Sequence, residues 1–131
     1  MIFNVWDRIE NNEFADVVNA AAASVFPDDP PEFLSRTPHN YYDESLIREE
    51  LGNAGFTNVK YESLEAMSSA RSPRHPAIAY CQGTPLRNEI EQRDASLLGQ
   101  VTDRASDAIL EKFGAGPVAG KIRGYIITAA R

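Results

Sequence analysis

An α/β fold built on three strands is predicted by three observations. Short β-rich apolar runs occur near the start, the middle and the end of the chain. Between them, apolar positions recur at helical spacing. Glycine closes the helical stretches before the next strand begins. With 131 residues the chain is long enough for one domain with a real core. The expected order is β-α-α-β-α-α-β, a single domain over residues 1–131.

Residues 2–6 (Ile-Phe-Asn-Val-Trp) form the first strand, short and apolar. In the following helix Phe14, Val17, Val18, Ala21 and Val25 share a face, and Asn11 or Asn12 can cap its start. Between Phe26 and Tyr42, Pro27, Pro30, Pro31 and Pro38 exclude one regular element, although Glu32-Phe33-Leu34 fits a single turn. Asp43 is suited to cap a helix over 44–54 that buries Leu46, Ile47, Leu51 and Ala54. Gly55 and Phe56 read as its Schellman ending. A strand over 58–64 sets Val59 and Tyr61 against Lys60 and Glu62, and 68–76 reads as a loop. A short helix over 77–82 stops at Gly83. Thr84 and Pro85, as cap and first helical position, start the next, with Leu86 and Ile90 inward. Asp94 caps a longer helix with the stripe Leu97, Leu98, Val101, Ala105, Ala108, Ile109 and Phe113, ended by Gly114. The last strand, 121–129, holds Ile122, Tyr125, Ile126 and Ile127.

Composition narrows the function. A net charge of −6 opposes nucleic-acid binding, which needs clustered Lys and Arg. Neither a Lys/Arg run nor an apolar stretch of about 18 residues is present, so no membrane association is expected. The first residues lack the basic region and apolar core of a signal peptide. A single cysteine, Cys81, cannot form an internal disulfide or a multi-cysteine zinc site, and the simplest placement is cytoplasmic.

Order and spacing resemble a known family. Asn4-Val5-Trp6-Asp7-Arg8 followed by a helix is similar to the fifth strand and next helix of class I S-adenosylmethionine-dependent methyltransferases. Ala54-Gly55-Phe56-Thr57-Asn58-Val59 resembles their turn into the sixth strand, and residues 124–131 (Gly-Tyr-Ile-Ile-Thr-Ala-Ala-Arg) resemble the seventh. The block from Ala79 to Arg87 is similar to the segment between strands six and seven in one bacterial subgroup. The resemblance covers the C-terminal, acceptor-side half of a Rossmann-like fold. It implies that the last strand runs antiparallel between the other two, and that methyl transfer proceeds by in-line attack of a small-molecule acceptor, where placement dominates.

The family binds S-adenosylmethionine with a glycine-rich turn after its first strand. Such a turn lets the backbone approach a ligand beside a helix N-terminus. None occurs here; Gly114-Ala115-Gly116 follows a helix and precedes a strand. No cofactor is therefore expected on this chain alone, and the expectation is that the first four strands are missing. The first strand would then keep a free edge and one sheet face would be bare, which predicts a homodimer or a missing N-terminal half as partner. Coverage of that face by the 95–113 helix is the alternative.

The substrate-binding candidates are Trp6, His39, Tyr42, Gln82, Thr84 and Arg87. Trp6 ends a strand, where ligands of α/β proteins sit, or else packs under a loop. His39, in Thr37-Pro38-His39-Asn40-Tyr41-Tyr42, can orient or deprotonate a substrate, or be a loop histidine bonded to backbone or water. Of Tyr41 and Tyr42, one fits the core and one the surface, and either can contact substrate. Gln82 and Thr84 flank a helix start whose free N–H groups suit an anion assisted by Arg87; the alternative is a plain helix corner. A nucleophilic Cys81 lacks an evident base. His75 reads as solvated, and Glu89 and Glu91 diverge at i and i+2. Two further function classes stand beside the methyltransferase: a non-catalytic dimeric module that binds a small molecule or a partner, and a small enzyme built on His39.

Overall fold

The computed structural model describes all 131 residues. Its strands are β1 (Ile2–Trp6), β2 (Asn58–Ala70) and β3 (Val118–Ala130). Between β1 and β2 lie α1 (Glu13–Val25), the single turn α2 (Phe33–Arg36) and α3 (Glu44–Asn53). Between β2 and β3 lie α4 (Arg74–Gly83), α5 (Leu86–Asp94) and α6 (Leu98–Phe113). Short 3-10 turns at Ile9–Asn11 and Ala95–Leu97 precede α1 and α6.

β3 is the middle strand of one sheet and runs antiparallel to both neighbours, which are therefore parallel to each other. Ile127 of β3 sits opposite Phe3 on one side and Tyr61 on the other. The fold is mixed α/β as expected, and the last strand is antiparallel as expected. Three strands in the order β1-β3-β2 are not a Rossmann order.

The period of two along β3 divides the sheet between different covers. Ile127 and Ala129 face α3 and meet its buried Ile47 and Leu51, with Phe3, Val5, Val59 and Tyr61 at the margin. Val118, on the other face, joins the main core of α1, α4, α5 and α6, which holds Phe14, Val18, Leu86, Ile90, Val101 and Ile109. The Phe14 ring reaches β3 because Gly120 has no side chain; a Cβ there would lie 3.3 Å from the ring. Truncating Phe14 to alanine costs about 3–5 kcal/mol by this burial.

Beyond Val118 and Gly120 the rest of that second face stays open. Ile2, Trp6, Leu64, Ala66, Ile122 and Ile126 line an apolar groove of about 470 Å³. Ile2 is 70 % exposed and Leu64 60 %. α6 packs on α1 and α4 and does not cross this face, so the alternative covering by the 95–113 helix is not realised. β1 also has a free edge. Its odd residues bond β3, as Asp7 N–H to Arg123 O at 3.0 Å and Ala129 N–H to Met1 O at 2.8 Å show. Alternation then points the N–H and C=O groups of Ile2, Asn4 and Trp6 outward.

Several local expectations hold. The Asp43 carboxylate accepts from the N–H groups of Ser45 and Leu46 at 2.8 and 3.2 Å. Gly55 takes φ 86° and Phe56 N–H bonds Leu51 O at 2.9 Å, closing the Schellman turn. Others are corrected. β2 continues to Ala70, because each residue through Ala70 pairs with β3 down to Val118. α4 begins at Arg74, inside the expected loop, since Pro76 falls in its first turn, where a missing N–H is harmless. Leu46 and Ala54 are exposed, so α3 buries only Ile47 and Leu51. Asn12 precedes α1 without a side-chain cap bond; its amide is used elsewhere.

Candidate functional site

Chain reversal after β1 is fixed by two buried polar side chains. The Asp7 carboxylate accepts from Arg8 N–H and from Asn11 Nδ2, both at 2.8 Å, and lies 3.4 Å from Arg123 Nε. Asn12, 2 % exposed, donates through Nδ2 to the carbonyls of Asp7, Arg8 and Arg123 at 3.3, 3.2 and 3.2 Å. Its Oδ1 accepts from Arg123 N–H at 3.1 Å. The end of β1 is thereby tied to β3 and to the start of α1.

Onto this end folds the proline-rich segment. His39, 7 % exposed, places Nδ1 2.9 Å from the Asp7 carbonyl oxygen. A carbonyl only accepts, so Nδ1 carries the proton and Nε2 holds the lone pair. Nε2 has no partner in the chain and is not among the atoms sealed from solvent. Burial lowers the His39 pKa below its ordinary 6.5, against the opposing pull of the Asp7 carbonyl and carboxylate. The ring is neutral at pH 7. Trp6 stands beside it, ring centroids 6.2 Å apart and planes tilted by 45°.

A cavity of about 320 Å³ opens here, beyond the C-terminal end of β1. Its lining comprises Trp6, Phe33, Leu34, Pro38 and His39 together with Tyr80, Thr84, Pro85 and Ile122. Trp6 and Ile122 also line the open sheet groove, so the two adjoin. Glu89 stiffens the wall: its carboxylate accepts the N–H groups of Glu32 and Phe33 at 2.9 and 3.1 Å and pairs with Arg36.

Three of the six sequence candidates meet at this cavity: Trp6, His39 and Thr84. Tyr42 does not. It lines a polar pocket on the opposite sheet face with Tyr61, Ser63, Arg123 and Tyr125, where its carbonyl accepts from Tyr61 Oη at 2.9 Å. Burial pushes the Tyr61 hydroxyl up to about 12. Gln82 turns inward to donate to Thr102 Oγ1 at 3.1 Å, pinning α4 to α6. Arg87 pairs with Glu91 at 2.7 Å along the exposed side of α5.

The expected anion cradle at Gly83-Thr84-Pro85 is closed. Thr84 Oγ1 accepts from Leu86 N–H at 3.2 Å, Arg87 N–H bonds Thr84 O at 3.1 Å and Asn88 N–H bonds Pro85 O at 3.0 Å. With those donors consumed, the segment is a helix corner. Cys81 is buried with its thiol pushed up to about 11 by burial, which disfavours the thiolate a nucleophile requires. No group of three or more His, Cys, Asp or Glu side chains is placed to hold a metal, and no helix is long and apolar enough to cross a membrane.

Sequence reasoning missed Asp7 and Tyr80 as site residues and read Asn12 only as a candidate cap for α1. The bond between Asp7 and His39 spans 32 residues and involves a carbonyl, which leaves no mark in a side-chain pattern. No protein-family model matches the chain, and no curated protein matches its sequence.

Proposed function

We propose that this chain is the acceptor-side portion, or a derivative, of a class I S-adenosylmethionine-dependent methyltransferase acting on a small molecule, and that it is inactive alone. The observation that carries the reading is β3 lying antiparallel between β1 and β2. That is the relation the resemblance implies for strands five, six and seven. The Trp6–His39 cavity beyond the end of β1 agrees with it, since ligands of α/β sheets gather at the carboxyl ends of strands.

The residues present do not fit the cofactor. The turn after β1 has no glycine, and the positive-φ glycines, Gly55, Gly114 and Gly116, all lead from helix to strand. Methyl transfer therefore requires a cofactor site outside these residues. What this chain contributes is a neutral imidazole and an aromatic wall to place an acceptor. On this reading the protein works in the cytoplasm. The test is the DNA next to the coding sequence. A segment encoding a strand, a glycine-rich turn and a helix, co-expressed with this chain, should confer S-adenosylmethionine binding. If no such segment exists the chain is no portion of a split enzyme and only a derivative remains; if co-expression with one confers no binding, the reading fails.

A second reading, a non-catalytic dimeric module, is favoured by the open groove and the free β1 edge. Two copies joined along β1 would pair the outward amides of Ile2, Asn4 and Trp6. Light scattering tests the second reading, which a monomer excludes; a stable dimer that binds no S-adenosylmethionine favours it.

A further inference from the structure

The polar groups around the His39 cavity divide into those the chain has consumed and those it leaves free. Asn12 spends its amide on three carbonyls and its oxygen on Arg123 N–H. Thr84 donates to Tyr80 O at 2.7 Å and accepts from Leu86 N–H. His39 Nδ1 is held by Asp7 O. What remains is His39 Nε2, which only accepts, together with the Tyr80 hydroxyl and the Trp6 indole N–H. No Lys, Arg, Asp or Glu lines the cavity.

We propose that the cavity binds an uncharged aromatic molecule of one or two rings carrying a hydroxyl or ring N–H that donates to His39 Nε2. The inference takes the cavity as the acceptor pocket from the reading above and adds its ligand class. The lining disfavours charge: an ion seated against it would give up part of its hydration with no Lys, Arg, Asp or Glu in the lining to compensate. Size sets the ring number, since about 320 Å³ lies at the small end of ligand cavities. Shape favours flat rings, because Trp6, Phe33 and Tyr80 offer aromatic surface with few rotamers to freeze. Orientation comes from the fixed tautomer. The Asp7 carbonyl holds Nδ1–H, so Nε2 presents one directed lone pair, and a ligand lacking a donor would leave that lone pair unsatisfied.

The test uses three probes on the whole chain, followed by calorimetry and by the ring nitrogen resonances of His39. The probes are 2-naphthol, its methyl ether 2-methoxynaphthalene, and 2-naphthoate. The proposal expects saturable one-site binding of 2-naphthol with a shift of the Nε2 resonance. It expects at least tenfold weaker binding of the ether, about 1.4 kcal/mol, and no saturable binding of the carboxylate. Binding of 2-naphthoate as tight as 2-naphthol, an ether equal to the naphthol with Nε2 unmoved, or no binding of any probe would overturn it. His39→Phe keeps a ring and removes the acceptor, and should erase the difference between naphthol and ether. Because the Nε2 shift is read on the unaltered protein, the test survives misfolding of that variant. Failure of the methyltransferase reading would show as no cofactor binding on co-expression, with the probe series unchanged.

Discussion

The Nδ1 of His39 donates to the carbonyl oxygen of Asp7 across 2.9 Å, so a loop residue fixes the end of β1 and β1 fixes the tautomer of the loop residue. That one bond sets which nitrogen carries the proton and which keeps its lone pair.

The first prediction concerns pH. Burial lowers the His39 pKa in the folded protein below the ordinary 6.5. Below pH 6.5 the unfolded chain takes up a proton that the folded ring refuses, so the unfolded state gains. His39 therefore supports full stability above about pH 6.5, and that support is lost as pH falls through its folded pKa. An NMR titration of the His39 ring should give a midpoint below 6.5, and the His39→Gln variant should show a flatter stability profile under mild acid. A midpoint at or above 6.5 contradicts the buried placement.

Asn12 is the second. Its amide closes four hydrogen bonds inside the turn. Asn12→Ala leaves the Arg123 N–H unpaired, while Asp7 O keeps His39 and Arg123 O keeps the Asp7 N–H, at a cost of about 1–3 kcal/mol. Asn12→Asp should cost more, because a carboxylate would face three carbonyl oxygens. Urea unfolding checks both, and a loss under about 1 kcal/mol for Asn12→Ala would show that the turn holds without it.

Gly124 gives a third. It pairs with Trp6 across the β1–β3 ladder, and a Cβ there would stand 2.9 Å from the Val5 carbonyl oxygen. That atom is backbone and cannot rotate away. Gly124→Ala should push β1 off β3, destabilise by about 1–3 kcal/mol, and change Trp6 fluorescence. Because Trp6 is the one tryptophan, the emission change is unambiguous. An alanine variant as stable as the parent would mean the two strands sit farther apart.

The open face supplies the fourth. Leu64 is 60 % exposed, so Leu64→Lys in an isolated monomer should shift stability by no more than about 0.5 kcal/mol. Amide exchange should alternate along β1, slow at Phe3 and Val5 and fast at Ile2, Asn4 and Trp6. Slow exchange at all five, growing with concentration, would reveal a partner on the edge.

Legibility in the sequence followed the range of the interactions. Asp43, Gly55 and Phe56 were readable because a cap and a Schellman turn are made by residues a few positions apart. The second half of β2, Glu65 to Ala70, was not. Its Ala and Ser residues carry weak strand preference, and the pairing with β3 that holds it is more than 45 residues away in sequence, from Ala70 to Val118. In the site, Trp6 and His39 stood out by residue type. Gln82 and Arg87 were misplaced because reading them as a ligand cradle required free N–H groups that Thr84 and Pro85 had already engaged. Tyr80 reaches the cavity only through the packing of α4, which no local pattern encodes.

The most direct test of the account is a calorimetric titration of S-adenosylmethionine into the isolated chain. The proposed acceptor-side reading, with no glycine-rich turn between strand and helix, predicts no saturable heat at millimolar cofactor. Micromolar one-site binding would contradict it, because a cofactor cradle would then exist within these 131 residues.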